Sequence, residues 1–220
     1  MDSAARIVHV WDAPTRLFHW LVTALVAAAY ATWRLNWMFW HERIGDVLLT
    51  LLLFRVLWGV FGSETARFSR FLASPRAAVQ YLMRGQLNEP ARRAGHNPAG
   101  GWMVLVLLFL LSGETLSGLY VANDIVDVGP FTDIAPASVA NTIAALHTIF
   151  WDVLLAAIAL HLLAILVYAM ALRQNLLVPM ITGTKLLPQS VAAPYIVSPT
   201  RAILIIILSA AAAAALVKFL

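Results

Sequence analysis

Residues 139–172 read VANTIAALHTIFWDVLLAAIALHLLAILVYAMAL, an apolar run broken by two histidines, His147 and His161, 14 residues apart. In an α-helix that interval is a rise of about 21 Å and nearly four full turns, so both rings leave the same face at two depths. The run exceeds the roughly 20 residues that cross a bilayer, which predicts a helix that tilts or protrudes. An ionisable side chain placed in lipid costs on the order of a few kcal/mol and marks function by default.

The rest of the chain agrees with a membrane setting. Hydrophobic residues make up 61% of the 220, charged residues only 12%, and the mean hydropathy is +0.81. That composition excludes a soluble domain and predicts an all-α integral membrane protein. Besides 139–172, four spans are expected: Leu17 to Trp37, His41 to Phe61, Gly101 to Val121, and Ala202 to Leu220. The chain has no cysteine. Disulfides, iron–sulfur clusters, thiolate ligation and thioether attachment of a cofactor are thereby excluded. The formal charge of +4 and pI near 9.9 do not signal nucleic acid here, because the arginines gather in one loop between spans.

That loop sets the expected orientation. Residues 62–100 hold Arg67, Arg70, Arg76, Arg84, Arg92 and Arg93 against Glu64 and Glu89, whereas 122–138 holds Asp124, Asp127 and Asp133 with no base. Basic loops stay inside, so the 62–100 loop and the N-terminus are expected in the cytoplasm, and with five spans the C-terminus outside. A cleaved signal peptide fits poorly, since the first apolar stretch is of full span length and lacks a basic leader. Arg67 to Arg84 mixes arginines with Phe68, Phe71, Leu72, Val79, Tyr81 and Leu82, and is expected as an interfacial amphipathic helix, the alternative being a solvated loop.

With that orientation the histidines sort by depth. His19 opens span one on the cytoplasmic side and His41 opens span two on the outer side. Span four enters from outside, so His147 is outer and His161 inner. His41 is therefore expected to pair with His147, and His19 with His161, as two bis-imidazole sites for non-covalent haem. Any one histidine could equally be a polar contact between helices; four that match in depth favour ligation. His9, in the N-terminal segment, is expected to be solvated.

Taken together, His19-Trp20, His41, Phe54-Arg55-x-x-Trp58-Gly59, His96-Asn97-Pro98-x-Gly100-Gly101, Leu146-His147 and Leu160-His161 resemble the prokaryotic cytochrome b561 and hydrogenase b-type subunit superfamily. Similar proteins include the cytochrome b subunits of membrane-bound nickel–iron hydrogenase and formate dehydrogenase. The resemblance covers about residues 7–185. It implies a four-helix transmembrane bundle holding two b haems, which moves electrons between the quinone pool and a partner on the outer side. It also implies the ligand pairing reached from depth. The fifth C-terminal transmembrane helix departs from that pattern, and no stretch of the chain names a catalytic partner. The expected organisation is a di-haem domain over 1–175, a cytoplasmic linker over 176–200 and the extra helix over 201–220.

Further residues are placed around this frame. Arg55 lies 14 residues after His41, on nearly the same face but at the inner depth. It is expected either to face a propionate of the inner haem or to snorkel to the interface. Arg34 and Arg43 flank the outer turn and stand in the same relation to the outer haem. Asp46 and Asp152 are expected to turn away from the haem face and pair on neighbouring helices, and Glu114 has no evident mate. His96 and Asn97 are read as hydrogen-bonding a bound quinone or, equally, as a loop residue and a helix cap.

The function expected is that of an electron-transfer subunit in the bacterial inner membrane, in contact with lipid, quinone and a periplasmic cytochrome c or other redox subunit. The alternatives are a free-standing quinone oxidoreductase acting on a small substrate such as superoxide, and a cofactor-free transporter or assembly subunit.

Overall fold

The computed structural model describes residues 5–84, 94–121 and 136–219. Strand β1 (Ala5–His9) leads into helix α1 (Ala13–Arg34), and helix α2 (Met38–Phe61) follows after Leu35, Asn36 and Trp37. Asn36 takes the left-handed conformation, φ 58°, that so short a turn needs. Trp37 N–H donates to the Thr32 carbonyl at 2.8 Å and closes it.

A 3-10 turn (Glu64–Ala66) and two short helices, α3 (Phe68–Phe71) and α4 (Pro75–Met83), come next. The single amphipathic helix expected over Arg67 to Arg84 is thus divided. Pro75 disfavours helical backbone in the residue before it, and extended Ser74 caps α4 by accepting from Ala77 N–H at 3.2 Å. Three long helices complete the chain: α5 (Pro98–Gly118), α6 (Ala137–Met170) and α8 (Pro199–Phe219). Between the last two, where a linker was expected, lie helix α7 (Leu177–Thr182) and strand β2 (Thr184–Pro188).

Among the described residues four helices are long and apolar enough to cross a membrane: Met38–Phe61, Pro98–Gly118, Ala137–Met170 and Pro199–Lys218. They agree with the expected spans two to five within a few residues. Helix α1 falls short of that standard because Arg16, His19, Trp20, Tyr30 and Arg34 dilute its aliphatic residues. The chain is a multi-pass helical membrane protein.

The chain divides into two compact units. The first comprises Met1–Leu17, Val56–Val106 and Ile158–Ala202, and the second Phe18–Arg55, Leu107–Ala157 and Ile203–Leu220. In the first, β1 and β2 form an antiparallel ribbon in which Val8 faces Lys185, and Val8, Val10 and Leu187 are its buried cluster. Thr65 Oγ1 donates to the Val10 carbonyl at 2.6 Å, and Ser63 Oγ accepts from Val197 N–H at 3.0 Å, so the 3-10 turn joins both ends of the unit. Gly59 is required there, since a Cβ would come within 2.0 Å of the Phe68 ring. In the second unit, Leu49, Leu119 and Ala213 are the buried cluster, with Leu53, Tyr120, Leu216 and Val217 packed on it.

Candidate functional site

Two of the four expected ligands, both in the second unit, have the same kind of support. His41, half-buried on the first turn of α2, has Nδ1 at 2.9 Å from the main-chain oxygen of Ala29 in α1. A carbonyl only accepts, so Nδ1 carries the proton and Nε2 is left with its lone pair. His147 on α6 repeats the arrangement against the last turn of α5: Nδ1 lies 2.9 Å from the Glu114 carbonyl oxygen. Ser117 Oγ donates to the same carbonyl at 3.0 Å and lies 3.2 Å from Nδ1.

A histidine that ligates a metal characteristically donates its other ring N–H to a carbonyl, which fixes tautomer and ring plane. His41 and His147 both have that support, so each would suit holding a haem iron through Nε2. Gly118 keeps the neighbourhood open, because a Cβ there would sit 3.2 Å from His147 Cε1.

Glu114 is the residue that spacing did not resolve. It has a mate: its Oε1 lies 3.3 Å from His147 Nε2. With a proton already on Nδ1, that contact holds a second proton, carried by the acid or by the ring. Ligation through Nε2 requires the carboxyl group to leave this line. The other carboxyl oxygen, Oε2, is buried without a hydrogen-bond partner among the described residues, so among them the side chain is incompletely satisfied. Asp46 pairs with Arg43 of its own helix at 3.2 Å, where a neighbouring helix had been expected.

The remaining residues stand as follows. His19 belongs to the second unit, its ring edge-on to Trp20 at 4.9 Å, and His161 is half-buried in the first unit. Arg55 is 3% exposed, enclosed by protein and not reaching the surface as a snorkelling residue would. Arg34 and Arg43 are exposed, with guanidinium carbons 5.7 Å from the Trp33 ring and 5.3 Å from the Phe39 ring.

Asn97 caps α5: its Oδ1 accepts from Gly100 N–H at 2.6 Å, and its Nδ2 donates to Tyr168 Oη at 2.9 Å. Tyr168 Oη also meets Tyr81 Oη at 2.9 Å, making a buried polar triad. His96 packs between the rings of Trp11 and Phe71, at 4.6 and 4.9 Å. Arg92, Arg93, Asp124, Asp127 and Asp133 lie outside the described residues.

Sequence reasoning missed Asp12. Its buried carboxylate accepts from Thr15 N–H at 2.7 Å, capping α1, and from Trp58 Nε1–H at 3.1 Å. The signal was present, since an Asp just ahead of Ala13-Pro14-Thr15 is a helix-start pattern.

The family model described as prokaryotic cytochrome b561 matches residues 10–183. No curated protein and no solved structure matches the chain.

Proposed function

Because the chain belongs to the prokaryotic cytochrome b561 family, we propose that it carries electrons across the bacterial cytoplasmic membrane through two non-covalent b haems, between a quinone pool and a redox partner on the outer side. Family membership itself implies transmembrane electron transfer by b-type haem. Haem supplies a one-electron carrier when bound, while the chain supplies ligands, orientation and field.

We assign His41 and His147 to the outer haem and His19 and His161 to the inner one. The observation that carries the reading is the matched support of His41 and His147, each with Nδ1 held by a main-chain carbonyl at 2.9 Å. The inner pair rests on the 14-residue spacing of His147 and His161 and on depth. Enclosed Arg55 suits an inner propionate, which needs a cation in low dielectric. Arg34 and Arg43 are proposed for the outer propionates, where Arg43 would exchange its contact with Asp46. For the quinone, Asn97 is already engaged as a cap, so His96 is the residue of that pair to test.

The reading includes five crossings, with the N-terminus cytoplasmic and the C-terminus periplasmic. The Asp124, Asp127 and Asp133 segment would then dock a basic periplasmic partner such as a cytochrome c. A pyridine haemochrome assay on purified protein tests the proposal. Two b haems per chain are expected; one or none overturns the assignment.

A further inference from the structure

A serine or threonine inside a helix can turn its hydroxyl back to the carbonyl three or four residues before it. Ala29 and Thr32 on α1, and Glu114 and Ser117 on α5, share that three-residue interval. Thr32 Oγ1 donates to the Ala29 carbonyl at 3.0 Å, dividing its proton with the Ala28 carbonyl at 2.9 Å, and Ser117 Oγ donates to the Glu114 carbonyl at 3.0 Å. The Ala29 and Glu114 carbonyls are the two that hold Nδ1 of His41 and of His147, each at 2.9 Å. Both hydroxyl-bearing side chains are buried. The same three-part device, a histidine, a carbonyl and a hydroxyl three residues on, thus stands behind each of the two rings.

The repetition has an electronic consequence. A carbonyl oxygen has two lone pairs, and in the body of a helix one of them serves the amide four residues on. A hydroxyl that shares the oxygen competes with the imidazole N–H, so the ring is oriented by an acceptor already partly engaged. A stronger acceptor at Nδ1 makes Nε2 the better donor to a metal. A better donor favours ferric over ferrous iron, which makes hydrogen bonding behind the ligand a lever on potential. Among the described residues Thr32 Oγ1 bonds only the Ala28 and Ala29 carbonyls, so it acts as a competitor alone. Ser117 Oγ also lies 3.2 Å from His147 Nδ1, so it is a weak second acceptor for the ring as well as a competitor for the carbonyl.

We propose that Thr32 and Ser117 are positioning residues that tune the outer haem through the Ala29 and Glu114 carbonyls. Thr32 raises the midpoint potential by loosening the hold on His41 Nδ1, and Ser117 offsets the same effect by its own contact with His147. This tuning presupposes that His41 and His147 serve one haem, as assigned above, and requires neither a quinone nor a particular partner.

A redox titration of the purified haem-loaded protein tests it, with His41→Ala and His147→Ala identifying the outer component. Thr32→Val, which keeps the shape and drops the hydroxyl, should lower the outer midpoint and leave the inner one in place. Thr32→Ser should hold the unmodified value. Ser117→Ala should move the outer midpoint less than Thr32→Val does. Thr115→Val is the control, since buried Thr115 Oγ1 donates at 2.8 Å to the Leu111 carbonyl, which neither His41 nor His147 uses; both midpoints should stay. An unmoved or raised outer midpoint in Thr32→Val, a larger shift in Ser117→Ala, an equal shift of both haems, or an equal shift in Thr115→Val overturns the tuning and leaves the haem assignment standing. Thr32→Ala is read in the same way if Thr32→Val fails to load haem. Fewer than two haems in the unmodified protein, or different components lost in His41→Ala and His147→Ala, overturns the assignment and the tuning with it.

Discussion

Glu114 holds both ring nitrogens of His147, its main-chain oxygen 2.9 Å from Nδ1 and its carboxyl oxygen 3.3 Å from Nε2. The two contacts have different chemical standing. The first persists whatever side chain occupies position 114 in the helix; the second competes with any metal for the ligating lone pair.

Replacing Glu114 by Gln should therefore leave haem loading intact, because the orienting carbonyl remains. Gly118→Leu should lower outer-haem occupancy, because the space beside Cε1 is already within 3.2 Å of a Cβ. Haem-to-protein ratios of the two variants check this contrast. Loss of haem in Glu114→Gln with full loading in Gly118→Leu would reverse it.

His147→Ala and His41→Ala should abolish the same component of the reduced-minus-oxidised spectrum, and His19→Ala and His161→Ala the other. A spectrum in which His147→Ala matched His19→Ala would mean that the pairing by depth is wrong.

Arg55→Leu should lower the midpoint potential of the inner haem or make it more dependent on pH, since a buried cation that favours the reduced state is lost. The outer haem, about 21 Å away by helix rise, should move much less. Equal small shifts in a redox titration of both haems would remove Arg55 from the propionates.

Trp58→Phe should cost about 1–3 kcal/mol, because the buried Asp12 carboxylate loses its indole donor while keeping its cap contact to Thr15. Asp12→Asn keeps the cap-forming oxygen but sets an amide N–H2 against Trp58 Nε1–H where Oδ2 accepts, so it should cost a comparable amount. Thermal unfolding of the haem-loaded variants, followed by circular dichroism, measures both. An unchanged midpoint in Asp12→Asn would make Trp58 a packing residue alone.

The absence of cysteine makes site-directed labelling direct. A thiol introduced by Asp127→Cys should react with an impermeant maleimide in intact spheroplasts, and one introduced by Arg92→Cys only after lysis. The opposite pattern would invert the orientation. Neutralising Asp124, Asp127 and Asp133 should slow transfer to a basic partner most at low salt, where screening is weak.

The long helices were legible because their signal is hydropathy, and a run such as 139–172 has no other solution in water or lipid. The histidine spacing was legible because helical rise is constant. The mate of Glu114 was hidden, since residues 114 and 147 are brought together by helix packing and not by any interval along the chain. The ribbon was hidden for the same reason: Ala5–His9 is too short to show alternation, and its partner strand lies in what read as a linker. Arg67 to Arg84 failed differently. Its amphipathic composition is plain, but Ser74-Pro75, a local stop and start, divides it.

The ribbon carries a constraint that reaches past the unit containing it. Arg6 Nη2 donates to the Val191 carbonyl at 3.1 Å across 185 positions of sequence, and β1 pairs with β2 beside it. Two strands can hydrogen-bond only in the same aqueous compartment, so the chain between them must traverse the bilayer an even number of times. Helices α2, α5 and α6 are long and apolar enough for three traverses. Parity then asks for one more, and α1, the only other long helix between the strands among the described residues, is the segment able to provide it. That arithmetic supports α1 as a span despite its polar residues, with His19 inside it.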